Sequence, residues 1–199
     1  MSGPWIAAFG VLAAAMAVTL VVVTGVVRRA LAVLEAGAGG DLYSRSLQVS
    51  GMYGGLAPGA TVPEFVARTA DGATISSSEL LGEPALCLFV AAGCGPCKLL
   101  LAGLAASPDA VDAPLLLFVD DTSDEAYRTL PPTVTVLADV DGSAAAAFES
   151  KSFPQGFAVD GDRMVQAVAI PNSLADLREL AGALEGGDRR QRATQTAAA

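Results

Sequence analysis

The chain has 199 residues, of which 52% are hydrophobic, and its 12 basic and 21 acidic side chains give a formal charge of −9. This length suits one domain with appendages, and the acidic balance, with no basic stripe, argues against binding to nucleic acid. Histidine is absent, which excludes Ser-His and Cys-His catalysis and leaves a poor ligand set for zinc. We therefore expect no metal and no cofactor, so any chemistry comes from thiols, carboxylates, lysines or the backbone.

An uncharged apolar segment runs from Trp5 to Val27. At about 1.5 Å per residue it is long enough to cross a bilayer core of roughly 30 Å. It lacks the basic start of a secretory signal peptide and is longer than the apolar run of one. A buried core helix, the other alternative, is seldom apolar on every face. The segment predicts a single-span membrane anchor over residues 5–27.

Residues 28–60 are predicted to form a linker, in which glycine, serine and proline are frequent. Arg28 and Arg29 follow the span directly, and the positive-inside tendency would place this side in the cytoplasm. Several apolar residues indicate that part of the linker lies against a surface: Leu47, Val49, Met52, Tyr53 and Leu56.

From residue 61 to residue 185, strand-like and helix-like segments alternate, which predicts an α/β domain with a mixed central sheet flanked by helices. The predicted strands are 86–91, 115–119, 133–137, 156–159 and 164–170. The predicted helices are 97–106, 123–130, 143–150 and 173–184, with Ser173 as the N-cap of the last one. Asp160-Gly161 favours a hairpin between the last two strands. Residues 186–199 are polar and rich in alanine, which predicts a disordered tail.

Cys94 and Cys97 are separated by Gly95 and Pro96, and they lie between a predicted strand and a predicted helix. At a helix N-terminus the free backbone N–H groups and the helix dipole favour thiolate at Cys94. Cys97, one turn further on, can then attack a mixed disulfide formed at Cys94. This arrangement indicates a redox-active dithiol, while half of a zinc ribbon and a purely structural disulfide remain as alternatives. Cys87 lies within an apolar run and is interpreted as a core residue.

Several stretches of the sequence resemble a known group of proteins. Residues 89–98, which include the cysteine pair, are similar to the active-site segment of thioredoxins and their membrane-anchored relatives. Residues 63–65, 71–72 and 80–84 resemble the entry segment of the TlpA/ResA group of redoxins, and residues 152–160 resemble the cis-proline loop. The layout of anchor, arginines and linker is similar to that of MauD-like accessory proteins of methylamine utilisation.

The resemblance implies a thioredoxin-like fold with an N-terminal transmembrane helix, and it implies that Pro154 is in cis and packs against the Cys94 sulfur beside Phe153. An ordinary trans proline is the alternative. The implied partners are a disulfide-containing protein substrate and a thiol electron donor or acceptor. The resemblance also favours an extracytoplasmic domain, against the tendency of the two arginines.

The sequence departs from ordinary thioredoxins at two positions. Gly93 stands where they carry tryptophan, and Leu88 stands where they carry a buried acid that assists proton transfer. Asp120 or Asp121, at the end of the next strand, is a candidate to replace that acid, and a solvated turn is the alternative.

Three hypotheses about function follow. The first is a membrane-anchored thiol-disulfide oxidoreductase, acting as a reductase or maturation factor for exported proteins. The second is a non-catalytic assembly factor that uses the fold as a docking platform on the membrane. The third is a thiol peroxidase, although residues 87–94 lack the Pro-x-x-x-Thr-x-x-Cys pattern that is typical of peroxiredoxins.

Overall fold

The computed structural model describes Met16 and residues 42–197, with side chains as far as residue 185. The predicted anchor at 5–27 lies outside the described residues, apart from Met16. Among the described residues, no helix is long and apolar enough to cross a membrane.

Seven strands form one mixed sheet in the order β2-β1-β5-β4-β3-β6-β7. The strands are β1 Val66–Thr69, β2 Thr74–Ser76, β3 Ala85–Phe89, β4 Leu115–Val119, β5 Val134–Asp139, β6 Gln155–Val159 and β7 Val165–Ala169. The three central neighbours β3, β4 and β5 run parallel, and all other pairs are antiparallel. The prediction of an α/β domain with a mixed sheet is confirmed.

Within residues 42–197, six α-helices accompany the sheet. They are α1 (residues 42–53), α2 Ser77–Leu80, α3 Gly95–Ala106, α4 Glu125–Arg128, α5 Ser143–Ala147 and α6 Leu174–Ala197. Ser173 lies just before α6, and its hydroxyl accepts the backbone N–H of Asp176 over 3.3 Å, as expected of an N-cap.

Strand β3 is buried on both faces and divides the core in two. Leu86 and Leu88 face one apolar cluster, which α3 and α6 complete, and Cys97 belongs to this cluster. Cys87 and Phe89 face the other cluster, which is rich in phenylalanine. Because side chains alternate across a strand, the free thiol of Cys87 lies on the opposite side of the sheet from Cys97. The interpretation of Cys87 as a core residue is confirmed, since it is fully buried.

The predicted linker over 28–60 contains a helix that the sequence pattern did not indicate. Its residues 42–53 form α1, and the hydroxyl of Ser46 is fully buried where it accepts the backbone N–H of Val168 over 3.0 Å. Val168 belongs to β7, an edge strand, so this contact satisfies a donor that no neighbouring strand pairs. Val49 and Leu56 pack against the core as expected, whereas Leu47, Met52 and Tyr53 are exposed.

Other boundaries also differ from the prediction. Strands β1 and β2 and helix α2 were not predicted, since they are only three or four residues long and short elements carry little periodicity. Where the sequence predicts a disordered tail from Gly186, helix α6 continues to Ala197. The arginine, glutamine and alanine residues of this stretch are good helix formers, which offsets the two glycines.

Candidate active site

Cys94 and Cys97 are joined by a disulfide at the N-terminus of α3, with an S–S distance of 2.06 Å. Cys94 is the N-cap residue, and its sulfur accepts the backbone N–H of Cys97 over 3.2 Å. Pro96 occupies the first turn, where a missing N–H leaves no helical hydrogen bond unmade. The local sequence therefore places the pair where backbone donors and the helix dipole stabilise negative charge on Cys94.

The two sulfurs differ in their access to solvent. Cys97 is only 1% exposed and packs in the cluster under α3, whereas Cys94 is partly buried and Gly95 and Pro96 are exposed. An incoming sulfur therefore reaches Cys94 first. Cys97 is positioned to attack a bond formed there, and the roles of the two cysteines stay a prediction.

The loop before β6 faces Cys94. The Phe153–Pro154 peptide bond is cis, so the expectation of a cis bond at Pro154 is confirmed. The carbonyl oxygen of Phe153 lies 3.6 Å from the Cys94 sulfur. In the disulfide this sulfur carries no proton, so the contact becomes a hydrogen bond only when Cys94 is reduced and protonated.

Exposed apolar groups border the disulfide. The side chain of Phe153 is 42% exposed, and that of Leu99 on α3 is 74% exposed. Beside Cys97, a cavity of about 490 Å³ is lined by Ala91, Ala92, Gly93, Cys97, Lys98, Leu101, Ala102, Asp124, Ala126, Tyr127 and Thr129. Gly93 has a φ of +78°, and no atom lies within 4 Å of a Cβ built on it. The absence of a large side chain at this position leaves the cavity open.

The two candidate proton-transfer acids are exposed at the end of β4. The carboxylate of Asp121 accepts the backbone N–H of Ser123 over 2.9 Å and the hydroxyl of Ser123 over 2.5 Å. These hydrogen bonds, first that of the hydroxyl and then that of the backbone, lower the pKa of Asp121. The carboxylate of Asp121 is thus hydrogen-bonded within its own turn. The role of Asp120 or Asp121 in proton transfer stays a prediction.

Tyr127 lines the cavity beside Cys97. Partial burial, followed by the negative charges of Asp124, Asp120 and Asp121, raises the pKa of its phenol. Its hydroxyl therefore stays protonated at neutral pH.

Leu88, where ordinary thioredoxins carry an acid, is fully buried.

Sequence reasoning missed the residues that support the loop at Pro154. Gln155 is fully buried, and its side-chain amide is hydrogen-bonded to Ser150 and to the backbone of Gly54. Gln155 lies within the stretch that resembles the cis-proline loop, but nothing in that resemblance pairs it with Gly54, which lies in the predicted linker. Only the fold brings them together.

Within the described residues, no group of three or more cysteine, aspartate and glutamate side chains is arranged to hold a metal ion. The chemistry that the site displays is that of its two thiols.

No family model matches the chain, and no curated protein matches it. Solved structures do match. A protein assigned as the thiol:disulfide interchange protein DsbE of Chlorobium tepidum is 22% identical, with a TM-score of 0.52 over 64% of this chain and 95% of that chain. DsbF of MTB, solved in mixed oxidized and reduced forms, is 29% identical, with a TM-score of 0.49 over 60% and 93% of the two chains. StoA of Bacillus subtilis is 19% identical, with a TM-score of 0.47 over 62% and 98%.

The match to the Chlorobium tepidum structure shows that this chain has a thioredoxin-like α/β fold. Within that fold, a Cys-Gly-Pro-Cys disulfide begins helix α3 and faces a cis-proline loop.

Proposed function

We propose that this chain is a membrane-anchored thiol-disulfide oxidoreductase, which acts as a disulfide reductase or maturation factor for exported proteins. One observation carries the proposal: a solvent-accessible cysteine caps a helix, is bonded to a buried cysteine one turn later, and faces the carbonyl of Phe153. A purely structural disulfide would not need one accessible sulfur, and a loop of three residues constrains little chain entropy.

The reaction proceeds by two exchanges. In the reduced protein, the Cys94 thiolate attacks one sulfur of a partner disulfide, forming a mixed disulfide and releasing the partner's other sulfur as a thiolate, which takes up a proton. Cys97 then loses its proton, and its sulfur attacks Cys94. The Cys94–Cys97 bond forms and the partner's second thiolate leaves. Two electrons pass from the protein to the partner, and a thiol electron donor restores the dithiol by the same steps.

The resemblance to membrane-bound redoxins supports an extracytoplasmic location for the domain, against the tendency of Arg28 and Arg29. The uncharged run from Trp5 to Val27 would confine the protein to the membrane surface. The partner is then a disulfide-containing exported protein, and the linker sets how far from the bilayer Cys94 can reach.

The test of activity uses the full chain in detergent, reduced by dithiothreitol, with insulin as the disulfide substrate. We expect the wild-type chain to accelerate insulin reduction, the Cys94→Ser variant to lose this activity, and the Cys97→Ser variant to accumulate a mixed disulfide visible on a non-reducing gel. Full activity in Cys94→Ser would overturn the proposal and favour a non-catalytic assembly factor.

Two further measurements bear on the details. Rapid consumption of hydrogen peroxide by the reduced chain would instead identify a thiol peroxidase. Reporter fusions at the C-terminus determine the side of the membrane, and a cytoplasmic reporter signal would contradict the extracytoplasmic location.

A further inference from the structure

We infer that Gln155 is a positioning residue for Cys94, and that it acts by fastening the loop at Pro154 to the end of helix α1. The inference rests on the proposed function, because it concerns the reactivity of Cys94. It makes α1 a part of the active site, whereas the sequence had indicated only a linker.

Both ends of the Gln155 side chain are engaged. Its Nε2 donates to the carbonyl oxygen of Gly54 over 2.7 Å, and its Oε1 accepts the hydroxyl of Ser150 over 2.9 Å. The side chain is fully buried. A buried amide that is satisfied at both ends strongly favours one arrangement, since any other leaves polar groups unpaired.

The same short segment holds the loop at two more points. The hydroxyl of Ser152 donates to the carbonyl oxygen of Tyr53 over 3.1 Å, and Gly54 forms an antiparallel bridge with Ser150. The loop is thus tied to Tyr53 and Gly54 on both sides of Phe153 and Pro154.

Gly55 shows how closely the two segments approach. Its φ is +104°, and a Cβ at this position would lie 2.6 Å from Nε2 of Gln155. A side chain here would collide with the amide that holds the loop, so the contact requires glycine.

The loop bears on Cys94 through the carbonyl of Phe153, whose oxygen is 3.6 Å from the sulfur. The negative end of this dipole favours the protonated thiol, whereas the backbone N–H of Cys97 favours the thiolate. The position of the Phe153 carbonyl therefore sets how readily reduced Cys94 ionises. Loosening the loop should move the carbonyl away and shift ionisation to lower pH.

The experiment measures thiolate absorbance at 240 nm against pH in the full chain carrying Cys97→Ser, so that Cys94 is the reactive thiol. Burial raises the pKa of Cys87, which keeps that thiol silent. We expect Gln155→Ala to increase the ionisation constant of Cys94 by about two- to tenfold, the range for loss of one hydrogen bond. Ser150→Ala should act in the same direction, and Ser150→Thr, which keeps the hydroxyl, should restore the original midpoint.

Gln166→Ala is the matched control. It also removes an amide that donates a hydrogen bond over 2.7 Å, in this case to the carboxylate of Asp160. Asp160 follows the far end of β6, five residues from Gln155, so the control lies roughly 16 Å along the strand from the site. Gln166→Ala should leave the midpoint pH of the Cys94 titration unchanged.

A folded Gln155→Ala variant, judged by circular dichroism, whose Cys94 ionises as in the wild type would overturn the inference. If Gln155→Ala does not fold, Ser150→Ala decides by the same criterion. Failure of the proposed function looks different, because the wild-type chain would then fail to reduce insulin whatever the titration shows.

Discussion

The backbone N–H of Cys97 lies 3.2 Å from the sulfur of Cys94. This contact follows from helix geometry, since an N-cap side chain accepts the N–H three residues later, and Cys94 and Cys97 have that separation. The donor stays in place when the disulfide is reduced, and it then faces a sulfur that can carry a negative charge. The second cysteine thus helps to activate the first through its backbone, before its own thiol takes part.

Selective alkylation of the reduced protein tests this relationship. We expect a brief iodoacetamide pulse near neutral pH to modify Cys94 well before the other two cysteines, because only Cys94 is both accessible and stabilised as a thiolate. Cys97 is 1% exposed and Cys87 is fully buried. Peptide mass spectrometry measures the result. The rate should rise with pH as Cys94 ionises, and modification of Cys97 first would contradict the assignment of roles.

Substitution of Cys87 tests whether the third thiol has any part in exchange. Cys87→Ala should leave insulin reduction unchanged, because Cys87 faces the phenylalanine-rich cluster on the other side of the sheet. The cavity left by the sulfur should lower the free energy of unfolding by about 1 kcal/mol. Chemical unfolding and the insulin assay measure the two effects, and a loss of exchange in a stable variant would show that Cys87 participates.

The sequence was sufficient to predict the centre of the fold. Strands β3 and β4 are continuous apolar runs, typical of strands covered on both faces, and the cysteine spacing marked the start of α3. A buried strand and a helix start both depend on residues that are adjacent in the chain, so the local sequence pattern was enough to predict them. The cis bond at Pro154 came from resemblance, because nothing in the residues around a proline determines its isomer.

The support of the site was not predictable in this way. Gln155 and Gly54 are 101 positions apart, and the hydrogen bond from the Gln155 amide to the Gly54 carbonyl exists only because the end of α1 lies beside the loop at Pro154. A glycine in the predicted linker and a glutamine at a strand end carry no shared pattern. Contacts of this kind depend on tertiary structure, which periodicity does not describe.

Paired glycine substitutions test the packing of α1 on the loop. Gly55→Ala should destabilise the protein by about 2–5 kcal/mol, from the strain of a positive φ and the collision with Gln155. Gly51→Ala is the matched control, since it lies in α1 with no atom within 4 Å of a built Cβ. It should stabilise the helix by up to ~1 kcal/mol. Urea unfolding of the full chain in detergent measures both, and equal effects would show that residue 55 is not in close contact.

The pH dependence of stability tests the attachment of the segment before β1. The hydroxyl of Ser77 donates to Glu64 over 2.6 Å, and Arg163 pairs with the other oxygen of Glu64. The Ser77 hydrogen bond first, and then Arg163, hold the pKa of Glu64 below its usual range. A lowered pKa in the folded state means that the stabilisation is present above the unfolded-state pKa and is lost as pH falls through the folded-state pKa.

Glu64→Gln should therefore be less stable than the wild type near pH 7, and the difference should shrink as the solution is acidified toward about pH 3. Glu64 is well exposed, with 66% of its side chain accessible, so added salt should also reduce the difference. The urea concentrations at the unfolding midpoint, determined at pH 7 and at about pH 3, measure this difference in stability. Glu83→Gln is the control for removal of a surface charge. A difference that grows in acid would mean that Glu64 is not stabilised as a carboxylate, and that Ser77 and Arg163 do not anchor this segment through it.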